Sequence, residues 1–276
     1  MLLQGSSQAE PNVAATVLDA GDGPILLICD HASNFVPDTL SDLGLAREQL
    51  SDHIGWDIGA AALTELLAKL LNAPAILANF SRLVIDANRD PSAHDLVPAT
   101  SDGVVIPGNA DMTPQQRQAR VDAFHRPFHD AVTKLIAERI SQAPIRAIVS
   151  IHSFTPQLSA RKTQARPWHV GLLFNRDARL AYAVHAQCSD EPDLIIGLNE
   201  PYAPIDGVYY TIDRHNASGT MLNLLVEVRN DLLRTLDDIE AWAQRIARWL
   251  DGALSAILDE REDQVSQTGL LQHQSS

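Results

Sequence analysis

Apolar and polar positions form two kinds of pattern, which follow one another along the chain. Short apolar runs, several of them rich in β-branched residues, predict strands, and longer stretches with an apolar residue every three or four positions predict helices. The runs at residues 145–151 and 222–228 are apolar over most of their length, as expected of strands buried on both faces. The complete set of predicted strands is residues 13–20, 25–30, 75–78, 83–86, 145–151, 169–174 and 222–228.

Helical periodicity appears between these runs. Thr113, Pro114 and Gln116 form a typical helix start, with a capping residue followed by proline at the first helical position. Strands that alternate with helices predict an α/β fold with three layers, α/β/α, around a mostly parallel, mixed central sheet. The predicted helices are residues 58–71, 113–136 with a bend at Pro127, 177–188 and 239–257.

No linker divides the chain, so we expect one α/β domain over residues 1–276, with frayed termini at 1–12 and 263–276. Residues 91–112 are rich in Pro, Gly, Ser and Asp and predict a long surface loop, of a length typical of binding loops and lids. No stretch is long and apolar enough to span a bilayer, and the start of the chain lacks the order of a signal peptide. We therefore expect a cytoplasmic protein without a membrane partner.

The formal net charge of the chain is −14 at pH 7. This charge argues against nucleic acid or an anionic membrane as the principal partner, because both are polyanions. A small anionic ligand would require a locally positive pocket, so the positions of the arginines become informative. The two cysteines, Cys29 and Cys188, do not form a CxxC pair. Their spacing fits a reducing compartment and excludes a thiolate zinc site.

Two histidines, His31 and His152, each follow an apolar run directly. Because the carboxyl ends of parallel strands meet at one edge of a sheet, two imidazoles placed there predict a metal site. The alternative for either histidine alone is a hydrogen-bonded structural role. A hydrolytic zinc site takes three protein ligands, and the predicted third is Asp57, at the start of a helix, with Asp30 and His53 as alternatives.

Glu227 is a carboxylate in the middle of an apolar strand. Burial would raise its pKa toward the range in which it accepts a proton from water and passes it to a leaving amine, so we predict a catalytic role. The alternative is a buried salt bridge to Arg229. His215, in a predicted loop that ends at Gly219, could donate a hydrogen bond to a developing oxyanion or could simply be exposed.

Arginines recur beside these residues, at Arg82, Arg89 and Arg229. A guanidinium group binds carboxylates in a bidentate fork, so we predict that these arginines bind substrate, with a structural ion pair as the alternative for each. Asn88 and Ser153 complete the predicted substrate-binding set. The sequence contains no GxSxG, GxGxxG or P-loop motif, which lowers support for serine-hydrolase, nucleotide-binding and phosphoryl-transfer functions.

Together these residues resemble the N-formylglutamate amidohydrolase family over residues 25–233. Each motif alone is weak, but their number and order make the set specific. The resemblance implies a zinc-carboxypeptidase-like fold, one Zn²⁺ ion and hydrolysis of a formyl or related acyl amide on a glutamate-like amine. The motifs are DHASN at 30–34, HIGWDIGA at 53–60, SRLVIDANR at 81–89, SIHSFTP at 150–156, NEPY at 199–202, TIDRH at 211–215 and EVRND at 227–231.

The chain differs from the better characterised family members in the first motif. Those members carry Pro-His-Ser-Gly where this chain has DHAS at 30–33. Related carboxypeptidases place a glutamate three residues after the first histidine, where Asn34 stands here. The third ligand therefore stays open among Asp57, Asp30 and His53, and the substrate of this branch can differ from formylglutamate.

The predicted function is a metal-dependent amidohydrolase that acts on a small anionic N-acyl amino acid such as N-formylglutamate. His31, Asp57 and His152 would hold one zinc ion, which would activate water, and Glu227 would shuttle the proton. One alternative is a zinc deacylase or carboxypeptidase-like hydrolase with a different small acidic substrate. The other is a relative that binds a ligand and has lost catalysis.

Overall fold

The structure, a computed structural model, describes residues 14–18, 21–140, 143–161 and 165–273, with side chains up to residue 259. Its strands are β1 (Ala15–Leu18), β2 (Ile25–Cys29), β3 (Ala75–Ala78), β4 (Thr100–Ser101), β5 (Val104–Val105), β6 (Ala147–Phe154), β7 (Val170–Leu173), β8 (Ile196–Leu198) and β9 (Leu222–Arg229). One sheet has seven strands in the order β1-β3-β2-β6-β9-β7-β8, and β4 pairs with β5 in a separate hairpin.

Parallel pairing dominates the seven-stranded sheet. β2 pairs in parallel with β3 and β6, β6 with β9, and β7 with β8, whereas the β1–β3 and β7–β9 pairs are antiparallel. Parallel neighbours need a crossover connection, which is usually a helix. The predicted mostly parallel, mixed sheet is therefore confirmed.

Helices cover both faces of the sheet. Leu63, Leu180 and Trp242, from the second, fifth and seventh helices, belong to the apolar core on one face. Phe128 and Ile212, from the fourth and sixth helices, belong to the core on the other face. This confirms the predicted three-layer arrangement. The helices are α1 (Arg47–Leu50), α2 (Ala60–Leu70), α3 (Pro114–Arg120), α4 (Arg126–Arg139), α5 (Arg179–Gln187), α6 (Tyr210–His215) and α7 (Leu236–His273).

The predicted helix start at Thr113 is confirmed. Its Oγ1 accepts the backbone N–H of Gln116 at 3.2 Å, and Pro114 is the first residue of α3. A single π-helical turn, Val121–His125, separates α3 from α4. Pro127 accounts for this π-helical turn, because proline lacks the backbone N–H that a continuous α-helix would need there.

Some local predictions were wrong. Residues 83–86 form turns and irregular backbone rather than a strand. The backbone N–H of Leu83 donates to Ser81 Oγ at 3.1 Å, a local contact that competes with strand pairing. β6 continues through Phe154, so His152 lies within the strand and not after it. The sequence also did not indicate β8, or the helix α6 that replaces the predicted loop before Gly219.

The predicted frayed termini and single domain can be compared with the described residues. The backbone of α7 is helical through His273, where the sequence favoured a frayed end from residue 263, and residues 1–12 lie outside the described residues. The single domain stays a proposal, supported by a sheet whose strands span residues 15–229. In the described part of the chain, each helix is either too short or too polar to cross a membrane.

The pleat of the strands places polar groups on one face of the sheet. Ile151 belongs to the core on the α2, α5 and α7 side, so its neighbour His152 points to the opposite face. Glu227 shares that face with Leu225. β6 and β9 pair with His152 directly opposite Glu227. The sheet therefore holds these two side chains next to each other near the carboxyl ends of adjacent strands.

Gly171 of β7 pairs with Glu227, and a Cβ atom there would lie 2.1 Å from the backbone oxygen of Glu200. Because a backbone oxygen cannot swing aside, Gly171→Ala should lower the free energy of unfolding by about 1–3 kcal/mol. Gly252→Ala in α7 is the control. Its Cβ would meet the flexible end of Gln187 at 2.7 Å, and alanine is favoured over glycine in a helix by about 1 kcal/mol. Urea unfolding measures both variants, and wild-type stability in Gly171→Ala would contradict the predicted close packing.

Candidate active site

A cavity of about 500 Å³ lies where β2, β6 and β9 end. This is the edge at which open α/β sheets bind their ligands. Its walls come from the loops after β2 and β3, the tip of the β4–β5 hairpin and the connections that follow β6 and β8. The sequence-predicted residues that line it are His31, Asp57, Arg82, Asn88, Arg89, His152, Ser153 and Glu227.

Asp57 stands between the two predicted histidine ligands. Its Oδ2 lies 2.8 Å from Nδ1 of His152 and 3.4 Å from Nδ1 of His31. The two imidazole rings meet edge to face, with their centroids 4.9 Å apart. One ligand atom from each residue lies within 4.8 Å of the other two, and all three residues are buried. The three side chains form a group that could hold a metal ion.

Backbone contacts hold the three segments together. The N–H of Asp57 donates to the carbonyl oxygen of His31 at 3.0 Å, which ties the start of α2 to the loop after β2. The N–H of Ser153 donates to Asp57 Oδ2 at 3.2 Å, and its hydroxyl donates to the oxygen of Ile58 at 2.8 Å. Gly59 turns the chain into α2 with a φ of 83°, a conformation that glycine adopts without steric cost.

Each histidine contacts a further carboxylate through its other ring nitrogen. Nε2 of His31 lies 2.7 Å from Asp86 Oδ1, and Nε2 of His152 lies 3.1 Å from Asp30 Oδ2. A carboxylate that accepts the Nε2 proton leaves Nδ1 free to bind a metal. Two oriented imidazoles and the carboxylate of Asp57 are a typical catalytic zinc set, so the residues present fit a zinc ion.

The outer carboxylates are held in turn. Arg82 donates to Asp86 Oδ2 at 2.9 Å through Nη2 and to Asp57 Oδ1 at 3.3 Å through Nη1. The hydroxyl of Thr211 donates to Asp30 Oδ1 at 2.5 Å. The group is therefore fixed by a continuous network of buried polar contacts, the kind of support that keeps metal ligands in place.

Charge within this network favours the ionised carboxylates. Burial raises the pKa of Asp30, but its hydrogen bond and charge interaction with His152 outweigh that effect and hold the pKa at about 2. Burial also opposes ionisation of Asp57, whose pKa is nevertheless lowered by His31 and His152. For His152 itself, burial lowers the pKa, but the hydrogen bonds with Asp30 and Asp57 raise it well above its ordinary value. The negative carboxylates suit a divalent cation.

Asp30 and His53, the alternatives for the third ligand, occupy other positions. Asp30 contacts the far nitrogen of His152. His53 lies at the rim of the cavity, where its Nε2 is 3.1 Å from Asp102 Oδ2. The geometry therefore favours Asp57 as the third ligand, and its role as a ligand stays a proposal.

Glu227 has one carboxylate oxygen without a partner. The residue is 5% exposed, and Oε2 is buried with no hydrogen-bond partner among the residues that the structure describes. Burial raises the pKa of Glu227 to about 7. A buried carboxylate with a free oxygen, next to His152 on the sheet, is suited to act as a general base. Arg229, the alternative salt-bridge partner, instead donates to Asp231 at 2.8 Å.

The predicted substrate-binding side chains on the cavity wall already have protein partners. Arg82 contacts the two carboxylates described above, and Arg89 donates to Asp95 Oδ2 at 2.9 Å. The side-chain oxygen of Asn88 accepts the backbone N–H of Thr211 at 3.0 Å. These contacts show that the three side chains hold the walls of the cavity together. Binding of substrate by any of them stays a proposal.

His215 and Arg229 do not line the cavity. His215 is the last residue of α6, and its Nε2 lies 2.9 Å from Nδ1 of His129. Arg229 ends β9 and turns toward Asp231. Both residues belong to motifs of the predicted set, but their side chains contact His129 and Asp231 instead of lining the cavity. We therefore do not retain these two residues in the site.

Several contributors were missed by sequence reasoning. Asp86 lies inside the SRLVIDANR motif, and Tyr202 inside NEPY, so the motifs themselves were the available signal. Arg166 lines the cavity beside Tyr202, with Nη1 2.9 Å from the tyrosine hydroxyl. Nothing in the pattern around Arg166 distinguished it from the other residues of a basic loop.

Asp102 was also missed. It stands at the tip of the β4–β5 hairpin, within the predicted loop 91–112, and accepts the backbone N–H groups of Ser159 and Ala160 at 2.7 and 2.8 Å. With its contact to His53, Asp102 connects three segments at the rim of the cavity. A polar loop residue of this kind gives no signal until its partners are known.

Comparison with known proteins supports the resemblance. The family model described as N-formylglutamate amidohydrolase matches residues 23–234. Gene product Atu2144 from Agrobacterium tumefaciens is 38% identical, with a TM-score of 0.85 over 90% of this chain and 97% of that chain. N-formylglutamate amidohydrolase from Ralstonia eutropha JMP134 is 18% identical, with a TM-score of 0.66 over 88% and 98%, a likeness of fold alone. No curated protein matches the chain.

The contact between Asp86 and His31 predicts an effect on metal affinity. Asp86→Asn should weaken zinc binding roughly 10- to 100-fold, because the carboxylate that orients the imidazole is lost. Competition with a chromophoric chelator measures the affinity. Asp122→Asn, which removes an exposed ion pair with Arg126, is the control. Unchanged affinity in Asp86→Asn would show that this contact does not orient a ligand.

Two histidines outside the cavity predict a pH dependence of stability. Burial lowers the pKa of His129 to about 2 and that of His215 to about 4. Both titrate near pH 6.5 in an unfolded chain, so below about 6.5 the unfolded state binds more protons and stability falls with falling pH. His215→Gln should reduce this slope by roughly 1 kcal/mol per pH unit. Urea unfolding over this pH range, with the exposed His185→Gln as control, measures the slope, and equal slopes in wild type and His215→Gln would contradict the assignment.

Proposed function

Because the chain belongs to the N-formylglutamate amidohydrolase family, we propose that it is a zinc-dependent amidohydrolase. Its substrate would be an N-acyl amino acid such as N-formylglutamate, from which it removes the formyl or a related acyl group. The observation that carries this proposal is the buried group of His31, Asp57 and His152 beside Oε2 of Glu227, which has no hydrogen-bond partner among the described residues. A metal group and a free carboxylate in one cavity are what metal-assisted amide hydrolysis requires.

His31, Asp57 and His152 would hold the zinc ion. When bound there, zinc supplies Lewis-acid polarisation of the acyl carbonyl and lowers the pKa of the attacking water to about 7. Asp86 and Asp30 keep the imidazoles oriented through the opposite ring nitrogens. The protein therefore provides a set of ligands that is in place before substrate arrives.

Glu227 would carry the proton. Its Oε2 accepts a proton from the attacking water, whose oxygen bonds to the acyl carbon. The same oxygen then returns the proton to the amide nitrogen as the C–N bond breaks. One water is consumed, and the products are the free acid, formate in the simplest case, and the amine of the amino acid. The raised pKa and the buried position of Glu227 suit both halves of this transfer.

The cavity also suits an anionic substrate. Arg82 and Arg89 line it, so guanidinium groups that can bind a carboxylate stand on its wall. We place the reaction in the cytoplasm, because Cys29 and Cys188 are both free and buried, a use of cysteine typical of reducing compartments.

Two substitutions separate metal binding from proton transfer. Zinc-loaded wild type should release formate from N-formyl-L-glutamate. Glu227→Gln should keep the metal and lose roughly 10²- to 10⁴-fold in kcat, because the proton acceptor is gone. His152→Ala should lose the metal, since one of three ligands is removed. Elemental analysis and a formate assay measure the two effects.

The control is Glu240→Gln, an exposed glutamate of α7, which should match wild type in both assays. Full activity in Glu227→Gln would refute its role, and retained zinc in His152→Ala would refute the ligand set. N-acetyl and N-succinyl amino acids complete the substrate panel. Their hydrolysis in place of the formyl compound would identify a deacylase with another acyl preference. Ligand-induced thermal stabilisation without turnover at saturating zinc would identify a non-catalytic relative.

A further inference from the structure

Arg166 is a buried arginine of the cavity wall with no part in the steps above. The residue is 8% exposed. Its Nη1 donates to the hydroxyl of Tyr202 at 2.9 Å and to the carbonyl oxygen of Thr155 at 3.4 Å, and its guanidinium lies 4.7 Å from the centre of the Tyr202 ring. All of these partners are neutral. Within the described ranges, no carboxylate lies at ion-pairing distance from Arg166.

Two other arginines of the cavity wall, both partly buried, have carboxylate partners. Arg82 pairs with Asp57 and Asp86, and Arg89 pairs with Asp95. Arg166 thus carries a buried positive charge that the described side chains leave without a direct counterion. Because an unpaired buried charge is unfavourable, an anionic ligand group placed against Arg166 would be stabilised.

Tyr202 adds a second donor at the same place. Its hydroxyl oxygen accepts a hydrogen bond from Arg166, so the hydroxyl proton remains available to a ligand. Burial raises the pKa of Tyr202, which keeps that proton in place at neutral pH. Guanidinium N–H groups and a hydroxyl proton, with both residues lining the cavity, match the oxygens of a carboxylate.

The α-carboxylate and the side-chain carboxylate of an acidic N-acyl amino acid lie at different distances from the scissile bond. In an N-acyl amino acid the α-carboxylate is attached to the carbon next to the scissile nitrogen, so it must lie close to the reacting carbonyl. Arg82 contacts Asp57 at 3.3 Å and is therefore the arginine next to the candidate metal group. Arg166 contacts none of the three candidate ligands and lies on the connection between β6 and β7. A carboxylate farther along the side chain of the amino acid suits this position.

We propose that Arg166 and Tyr202 form the subsite for the side-chain carboxylate of the substrate's amino-acid half, and so determine the preference for acidic over neutral N-acyl amino acids. This inference rests on the proposed function and assigns its selectivity to two residues outside the reacting group. A charge-assisted contact that a neutral analogue cannot make provides this kind of discrimination.

The test compares N-formyl-L-glutamate with N-formyl-L-glutamine, which has the same shape without the side-chain charge. Arg166→Gln should lower the ratio of kcat/KM for the acidic over the neutral substrate roughly 10- to 100-fold. Tyr202→Phe should lower the ratio in the same direction by less. The control Arg179→Gln removes an exposed arginine, the first residue of α5, which pairs with Asp177, and it should leave the ratio unchanged. Equal losses on both substrates in Arg166→Gln would overturn the proposal.

A binding measurement keeps the subsite separate from the reaction. Calorimetric titration with L-glutamate and L-glutamine should show that wild type prefers glutamate and that Arg166→Gln loses this preference. If zinc-loaded wild type hydrolyses no N-acyl amino acid, the proposed function is wrong. The titration alone then tests whether Arg166 and Tyr202 form a carboxylate subsite. Wild type without a preference for glutamate, or an unchanged preference in Arg166→Gln, would overturn it.

Folding of the variant is checked by its thermal melt against that of Arg179→Gln. If Arg166→Gln does not fold, Arg166→Lys replaces it. Lysine keeps the charge but lacks the planar fork of donors, so it should retain part of the preference for L-glutamate and of the kcat/KM ratio. A ratio and a preference equal to those of wild type in both Arg166→Lys and Tyr202→Phe would contradict the subsite.

Discussion

One carboxylate oxygen organises the site, because Oδ2 of Asp57 contacts Nδ1 of both His31 and His152. The three groups come from segments far apart in sequence, and all are buried, so most of their hydration is lost on folding. Burying them is favourable only where opposite charges meet and the remaining polar atoms have partners. The contacts of Arg82 and Asp86 satisfy that condition. The outer polar network therefore follows from the burial of the first three groups.

The sheet and several site residues were predictable because their signals are local. An apolar run that leads into His31, or that contains Glu227, is visible in a few consecutive positions. The direction of a side chain from a short helix is set by tertiary packing, which is why His215 faces His129 and not the cavity. β8 was missed because three residues are too few to show a period. Leu83, Val84 and Ile85 are apolar and buried, which mimics a strand pattern, although the backbone there forms turns and irregular structure.

The net charge of the chain does not determine the charge of its cavity. The charge of −14 is spread over the whole chain, whereas the buried carboxylates Asp57 and Asp86 face imidazoles and the guanidinium of Arg82. The guanidinium group of Arg82 compensates part of the charge of these two carboxylates locally. Arg166 then adds positive charge, with no carboxylate of the described residues at ion-pairing distance. An acidic protein can in this way attract a small anion at one position.

The proposed reactive groups and the proposed recognition groups occupy different kinds of structure. His152 and Glu227 lie on paired strands, so their separation is fixed by the register of the sheet. Arg166 and Tyr202 lie on connections between strands, which tolerate change because few backbone partners constrain them. In the proposed ligand set, the carboxylate comes from Asp57, in the turn before α2. The backbone therefore fixes the proposed reacting groups more closely than the proposed recognition groups.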